Sequence, residues 1–161
     1  MNMELQKRVI EICCQKQGCF KTKVNGDCMY PFIRNGESVS VFSYSDKEPM
    51  VGDIVLILIN KDMYVHRLLK IKNSGVIAKG DMNVKLDDPV PIDNIAGFIR
   101  RYQSYNNRNK RLIRKLVRLS YKAGIYFEKN IFKNREKCLE SMRKRKKRII
   151  SISRKVIKND H

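Results

Sequence analysis

Between residues 20 and 101 the chain alternates short apolar segments with turn signals and leaves no room for a helix. Extended segments are predicted at 20–24, 38–42, 53–59, 63–71, 76–79 and 95–101. They are separated by Asn25-Gly26-Asp27, Asn35-Gly36, Glu48-Pro49, Asn60-Lys61-Asp62 and Asn73-Ser74-Gly75. Strands that follow one another without crossover helices can pair only as an antiparallel sheet, because parallel neighbours need a long return connection. The sequence therefore predicts a mainly β fold, a compact antiparallel domain over 20–101. A helix over 3–17 precedes it, in a segment ending at residue 19, with Leu5, Val9, Ile12 and Cys13, together with Cys14, on its apolar face.

Past residue 101 the period changes. Residues 102–108 are polar and read as a linker, and 102–161 as a basic helical extension. Leu112, Leu116, Leu119, Ala123 and Phe127 form one stripe at helical spacing, and Ile131, Leu139 and Met142 suggest a second helix. After the six cations of 143–148, Ile149, Ile152, Val156 and Ile157 suggest a last short amphipathic segment. Charge separates the same two regions. Residues 101–161 carry 21 Lys and Arg against 4 Asp and Glu, whereas the first hundred carry 14 against 12. A uniformly basic nucleic-acid-binding domain is excluded, and the net charge of +19 belongs almost wholly to the extension.

No apolar run reaches the roughly 18 residues of a spanning helix, and the charged N-terminus does not read as a signal peptide. The expected location is the cytoplasm. The five cysteines, 13, 14, 19, 28 and 138, lack the spacing of a disulfide framework, which agrees with a reducing compartment. Cys13, Cys14 and Cys19 do not have Cys-x-x-Cys spacing, and neither a metal nor a cofactor is expected.

The chemistry-bearing residues cluster in the β region. The segment from Val24 to Val41, Val-Asn-Gly-Asp-Cys-Met-Tyr-Pro-Phe-Ile-Arg-Asn-Gly-Glu-Ser-Val-Ser-Val, resembles the nucleophile block of the signal-peptidase and LexA-type superfamily. Gly26, Met29, Pro31, Ile33 and Gly36 match that pattern. Glu37 replaces its usual Asp, and Cys28 stands where the family has its nucleophilic Ser. Val51-Gly-Asp-Ile-Val55 resembles the second Gly-Asp strand of the family. Val65-His-Arg-Leu-Leu-Lys-Ile71 resembles the block that supplies the base, a Lys in many members and a His in others, here His66. Ala78-Lys-Gly-Asp-Met-Asn83 with Asp87-Asp88 resembles the Lys-Gly-Asp-x-Asn…Asp block of the His-type enzymes, and Pro91-Ile-Asp-Asn-Ile-Ala-Gly97 their closing strand. These blocks, in the family's order, cover roughly 20–100.

The resemblance implies a peptidase acting on a peptide or protein substrate, releasing a leader or propeptide. Cys28 would be the nucleophile and His66 the general base and acid. Asp88 would orient His66, with Asp87 and Asp81 as competitors because the loop is one residue longer than the pattern. The backbone N–H of Cys28 would contribute to an oxyanion hole, and Gly26, Met29 and Pro31 would lie near the substrate. A thiol is a strong nucleophile as thiolate, and an adjacent imidazole can hold the thiolate and later protonate the leaving amine, so Cys with His is a consistent pairing. The rival reading is a non-catalytic peptide- or nucleic-acid-binding module on the same fold. For the extension, three readings arise: packing on the β domain, attachment to an anionic membrane surface through the basic helices of 110–158, or nucleic-acid contact. Of the three, attachment to a membrane surface is preferred, because related signal peptidases work at membranes and no segment here reads as their anchor helix. The oligomeric state does not follow from the sequence.

Overall fold

The computed structural model describes residues 2–44, 48–100 and 107–159. Helix α1 covers Met3–Gln17, and the side-chain oxygen of its N-cap Asn2 accepts from the Leu5 N–H at 2.9 Å. Gly18 closes it at φ 75°, a conformation glycine adopts without a Cβ clash. Its buried face is Gln6, Ile10 and Cys14, while Leu5, Val9 and Ile12 face outward. The expected apolar face was thus rotated by about one residue position. Spacings of four place Gln6, Ile10 and Cys14 on one side of the helix. Gln6 is tolerated there because its side-chain amide donates to the Lys61 carbonyl at 3.0 Å.

Six strands follow: β1 Phe20–Lys23, β2 Ser38–Phe42, β3 Ile54–Ile59, β4 Asp62–Lys72, β5 Gly75–Lys79 and β6 Ile95–Ile99. They form one antiparallel sheet in the order β1-β2-β6-β3-β4-β5. The sheet carries apolar side chains on both faces, which is why β3 reads as an unbroken run instead of an alternation. Ile54, Leu56, Leu58 and Val65 join one core with Met29, Phe32 and Ile33. Val55, Ile57, Leu68, Val76, Ala78 and Phe98 form a second.

The C-terminal region is two long helices, α2 Asn107–Asn130 and α3 Arg135–Asn159. The cations of 143–148 do not interrupt α3, so the two expected short segments are one helix. Cys138, Met142, Ile149, Ile152 and Val156 share its buried side, and most of the cations lie on exposed positions. The expected linker 102–108 lies largely outside the described residues, and the backbone is already helical from 107.

The extension packs on the β domain. Leu116, Ile149, Ile152 and Val156 are part of the core that holds Met29 and Leu56, and Val117 packs with Leu69, Ile77 and Leu86. These apolar side chains are therefore turned inward, onto the β domain. No helix among the described residues is long and apolar enough to cross a membrane.

Candidate active site

The loop joining β1 to β2 is closed at its base by Val24 N–H to the Glu37 carbonyl (3.0 Å) and Gly36 N–H to the Val24 carbonyl (2.8 Å). Gly26 and Gly36 hold φ of 92° and 76°, where a side chain would be strained. The Gly26 N–H donates to the Asn35 side-chain oxygen at 2.8 Å. Met29, Phe32 and Ile33 anchor the loop, each with at most 1 % of its surface exposed. Cys28 is left half-buried above them, its Sγ 3.9 Å from the carbonyl oxygen of Val65.

Val65 precedes His66 on β4, so this contact sets the thiol beside the imidazole. His66 is buried, and Cys28 is among the groups that raise its pKa. On the other side Nδ1 meets Asp87 Oδ2 at 2.6 Å. Burial is the largest single influence on His66 and pulls its pKa down. The hydrogen bond and charge of Asp87, with the Cys28 contact, outweigh it and raise the imidazole from 6.5 to about 9. His66 thus sits in surroundings that favour its charged form, with a carboxylate on Nδ1.

Of the three candidate carboxylates, only Asp87 meets His66. Asp88, the first choice from the sequence, is 91 % exposed and lies 3.7 Å from Lys85. The one-residue difference in loop length accounts for this: the Asp87 N–H donates to the Ala78 carbonyl at 3.1 Å, which fixes the register and turns Asp87 inward. Asp81 is fully buried and belongs to Arg67. The Arg67 Nε donates to both Asp81 oxygens (3.0 and 3.1 Å), Nη2 donates to Oδ2 (2.8 Å), and Nη1 donates to the Gly52 carbonyl (2.9 Å). The guanidinium also stacks 4.5 Å from the Phe32 ring centroid. This pair ties β4 to the segment after β5 and to the floor beneath Cys28.

Three neighbours were not singled out from the sequence. Lys79 is fully buried and donates from Nζ to the Gly80 and Asn83 carbonyls at 3.1 and 2.9 Å, holding the turn that leads to Asp87. Burial lowers its pKa to about 8, against the opposing charges of Asp81 and Asp87. At Gly80 an added Cβ would lie 2.8 Å from the Cys28 Cβ, so only glycine lets this turn approach the thiol so closely. Met82 N–H then donates to the Cys28 carbonyl at 2.8 Å. The Lys-Gly-Asp-x-Asn block was the available signal for these two residues. The third neighbour, Lys146 of α3, is some sixty residues away and left no local signal.

A groove of about 660 Å³ opens from His66, between Tyr64 and Ile59 on one side and the 82–88 segment on the other. β3 pairs β4 from Asp62 to Arg67, whereas β5 pairs it only from Arg67 to Lys72. Among the described residues, no strand covers the outer edge of β4 from Met63 to His66. Gly26, Met29 and Pro31 do not line this groove: Met29 has no exposed surface, Gly26 shapes the loop, and Pro31 lines a separate furrow with Arg154 and Lys158. Among the described residues, no group of three or more His, Cys, Asp or Glu could hold a metal ion.

Residues 2–79 match the family model described as Peptidase S24-like, a span that includes Cys28 and His66 and stops short of Asp87. No curated protein and no solved structure matches the chain significantly. The six-stranded antiparallel sheet agrees with that match, which supports membership of the matched region in the S24-like group of the LexA and signal-peptidase superfamily.

Proposed function

We propose that this protein is a peptidase that cleaves a separate peptide or protein substrate with Cys28, His66 and Asp87. The observation that carries this reading is the position of one buried imidazole between a carboxylate at 2.6 Å and a half-buried thiol. An imidazole charged up to about pH 9 is a poor free base at neutral pH. Its role is that of counterion to a Cys28 thiolate, with the pair as the working form. The open edge of β4 offers backbone groups to an extended peptide, which would pass His66 as an added strand.

In this mechanism the Cys28 thiolate attacks the scissile carbonyl carbon, and the developing oxyanion is held by the backbone N–H of Cys28. The His66 imidazolium gives its proton to the leaving nitrogen, the C–N bond breaks, and the amine departs, leaving a thioester. Neutral His66 then takes a proton from water as its oxygen attacks the thioester carbonyl. The C–S bond breaks, releasing the acid and restoring the thiolate–imidazolium pair. Asp87 keeps the ring in one tautomer throughout.

The test is cleavage of a synthetic peptide library followed by mass spectrometry. Wild-type protein is expected to give new termini, with the signal falling by at least ~10³-fold in Cys28→Ala and His66→Ala. Equal cleavage by all three proteins would reject the reading.

A further inference from the structure

The groove beside His66 has one wall that the β domain does not supply. Lys146, within the run of cations in α3, lines it. Its neighbours are engaged elsewhere: Lys144 pairs with Glu140 at 2.8 Å, and the Arg145 guanidinium lies 4.6 Å from the Tyr126 ring centroid. The other charges facing the groove are matched within it. Asp87 is bonded to His66, and Asp88 lies by Lys85 at 3.7 Å. Lys79, behind the groove, adds positive charge near Lys146. Among the described residues Lys146 has no carboxylate partner, so the groove presents one unmatched ammonium beside the apolar surfaces of Ile59, Tyr64 and Leu86.

α3 cannot swing away from this position cheaply. Ile149 and Met142, on either side of Lys146 in sequence, are buried to within 2 % of their surface. α2 braces the facing segment, since a Cβ on Gly124 would sit 2.6 Å from Leu86. An ammonium on a fixed backbone, lining the same groove as His66, is placed to read charge on whatever lies there.

We propose that Lys146 is a specificity residue that binds an Asp or Glu side chain of the peptide in this groove, so that the substrates are peptides with an acidic residue close to the bond presented to Cys28. This deepens the peptidase reading and rests on it for the word substrate. The basic extension then has a function in the site itself, as the wall that selects for acidic sequence.

The test uses immobilised Cys28→Ala protein equilibrated with a randomised synthetic heptapeptide library, the retained peptides being sequenced. Asp and Glu are expected to be enriched roughly fivefold or more at one position, the size of a single partly exposed charge contact. Lys146→Glu is expected to replace them there with Lys and Arg. Lys147→Glu, an equal charge change on an exposed neighbour outside the groove, is expected to leave the profile unchanged. No retained peptide, no acidic enrichment, an unchanged profile in Lys146→Glu, or an equal change in Lys147→Glu would each overturn the proposal. Acidic peptides retained by Cys28→Ala but left intact by the wild type would instead reject the peptidase reading and leave the Lys146 site standing.

Discussion

Exchanging Asp87 for Asn lowers peptide cleavage by about 10³–10⁴-fold, the scale at which a catalytic histidine loses its orienting carboxylate, while Asp88→Asn stays within about twofold of wild type. The two residues are adjacent in sequence and differ only in where they point. Asp87 is bonded to His66 Nδ1, and Asp88 is turned out beside Lys85. An amide at 87 removes the negative charge that opposes desolvation of the imidazolium. The pKa of His66 then falls from about 9, since burial, its largest single influence, acts downward. The same substitution alters the pH dependence of stability. A histidine raised to about 9 in the fold contributes stability that is complete below its unfolded value near 6.5 and is lost as pH rises through 9. Lys79, lowered to about 8, acts in the opposite sense above that pH. The wild-type protein should therefore lose stability between pH 6.5 and 8, and Asp87→Asn should flatten that slope in urea titrations. Equal activity in the Asp87 and Asp88 variants would remove Asp87 from the mechanism.

Asp81→Ala destabilises the fold by about 3–5 kcal/mol, because it leaves the Arg67 guanidinium buried without its carboxylate. Arg67 is 1 % and Asp81 0 % exposed, so water cannot replace the lost partner. The double replacement Arg67→Met with Asp81→Leu recovers most of that stability, since no unpaired charge remains. Thermal and urea unfolding measure both. A cost below 1 kcal/mol for Asp81→Ala would mean that the pair does not tie β4 to the segment below Cys28.

The strands were legible because alternation and turn residues act locally. Each expected strand overlaps an observed one, with ends differing by a residue or two. Pairing order was not legible: β6 lies between β2 and β3, a placement made by side chains far apart in sequence, such as Phe42 and Phe98. The end of α1 was legible from Gly18, but its buried face was not. Leu5, Val9 and Ile12 are the more apolar stripe, yet docking against the sheet selects Gln6, Ile10 and Cys14. At the site, the Cys28 and His66 blocks could be read from local pattern. The choice between Asp87 and Asp88 turned on a one-residue loop difference that only the backbone bond to Ala78 resolves. Lys146 reaches the groove only through the packing of α3 on the core.

The central claim is that Cys28 and His66 form a thiolate–imidazolium pair, and the rate of iodoacetamide alkylation against pH tests it most directly. Modification at Cys28 is followed by peptide mapping, which separates it from Cys13, Cys14, Cys19 and Cys138. The account predicts rapid alkylation of Cys28 at pH 6–7, well below the ~8.5 at which an ordinary thiol is half ionised. It also predicts that His66→Ala abolishes this reactivity in the same range. Alkylation that rises only above pH 8, alike in wild type and His66→Ala, would contradict it.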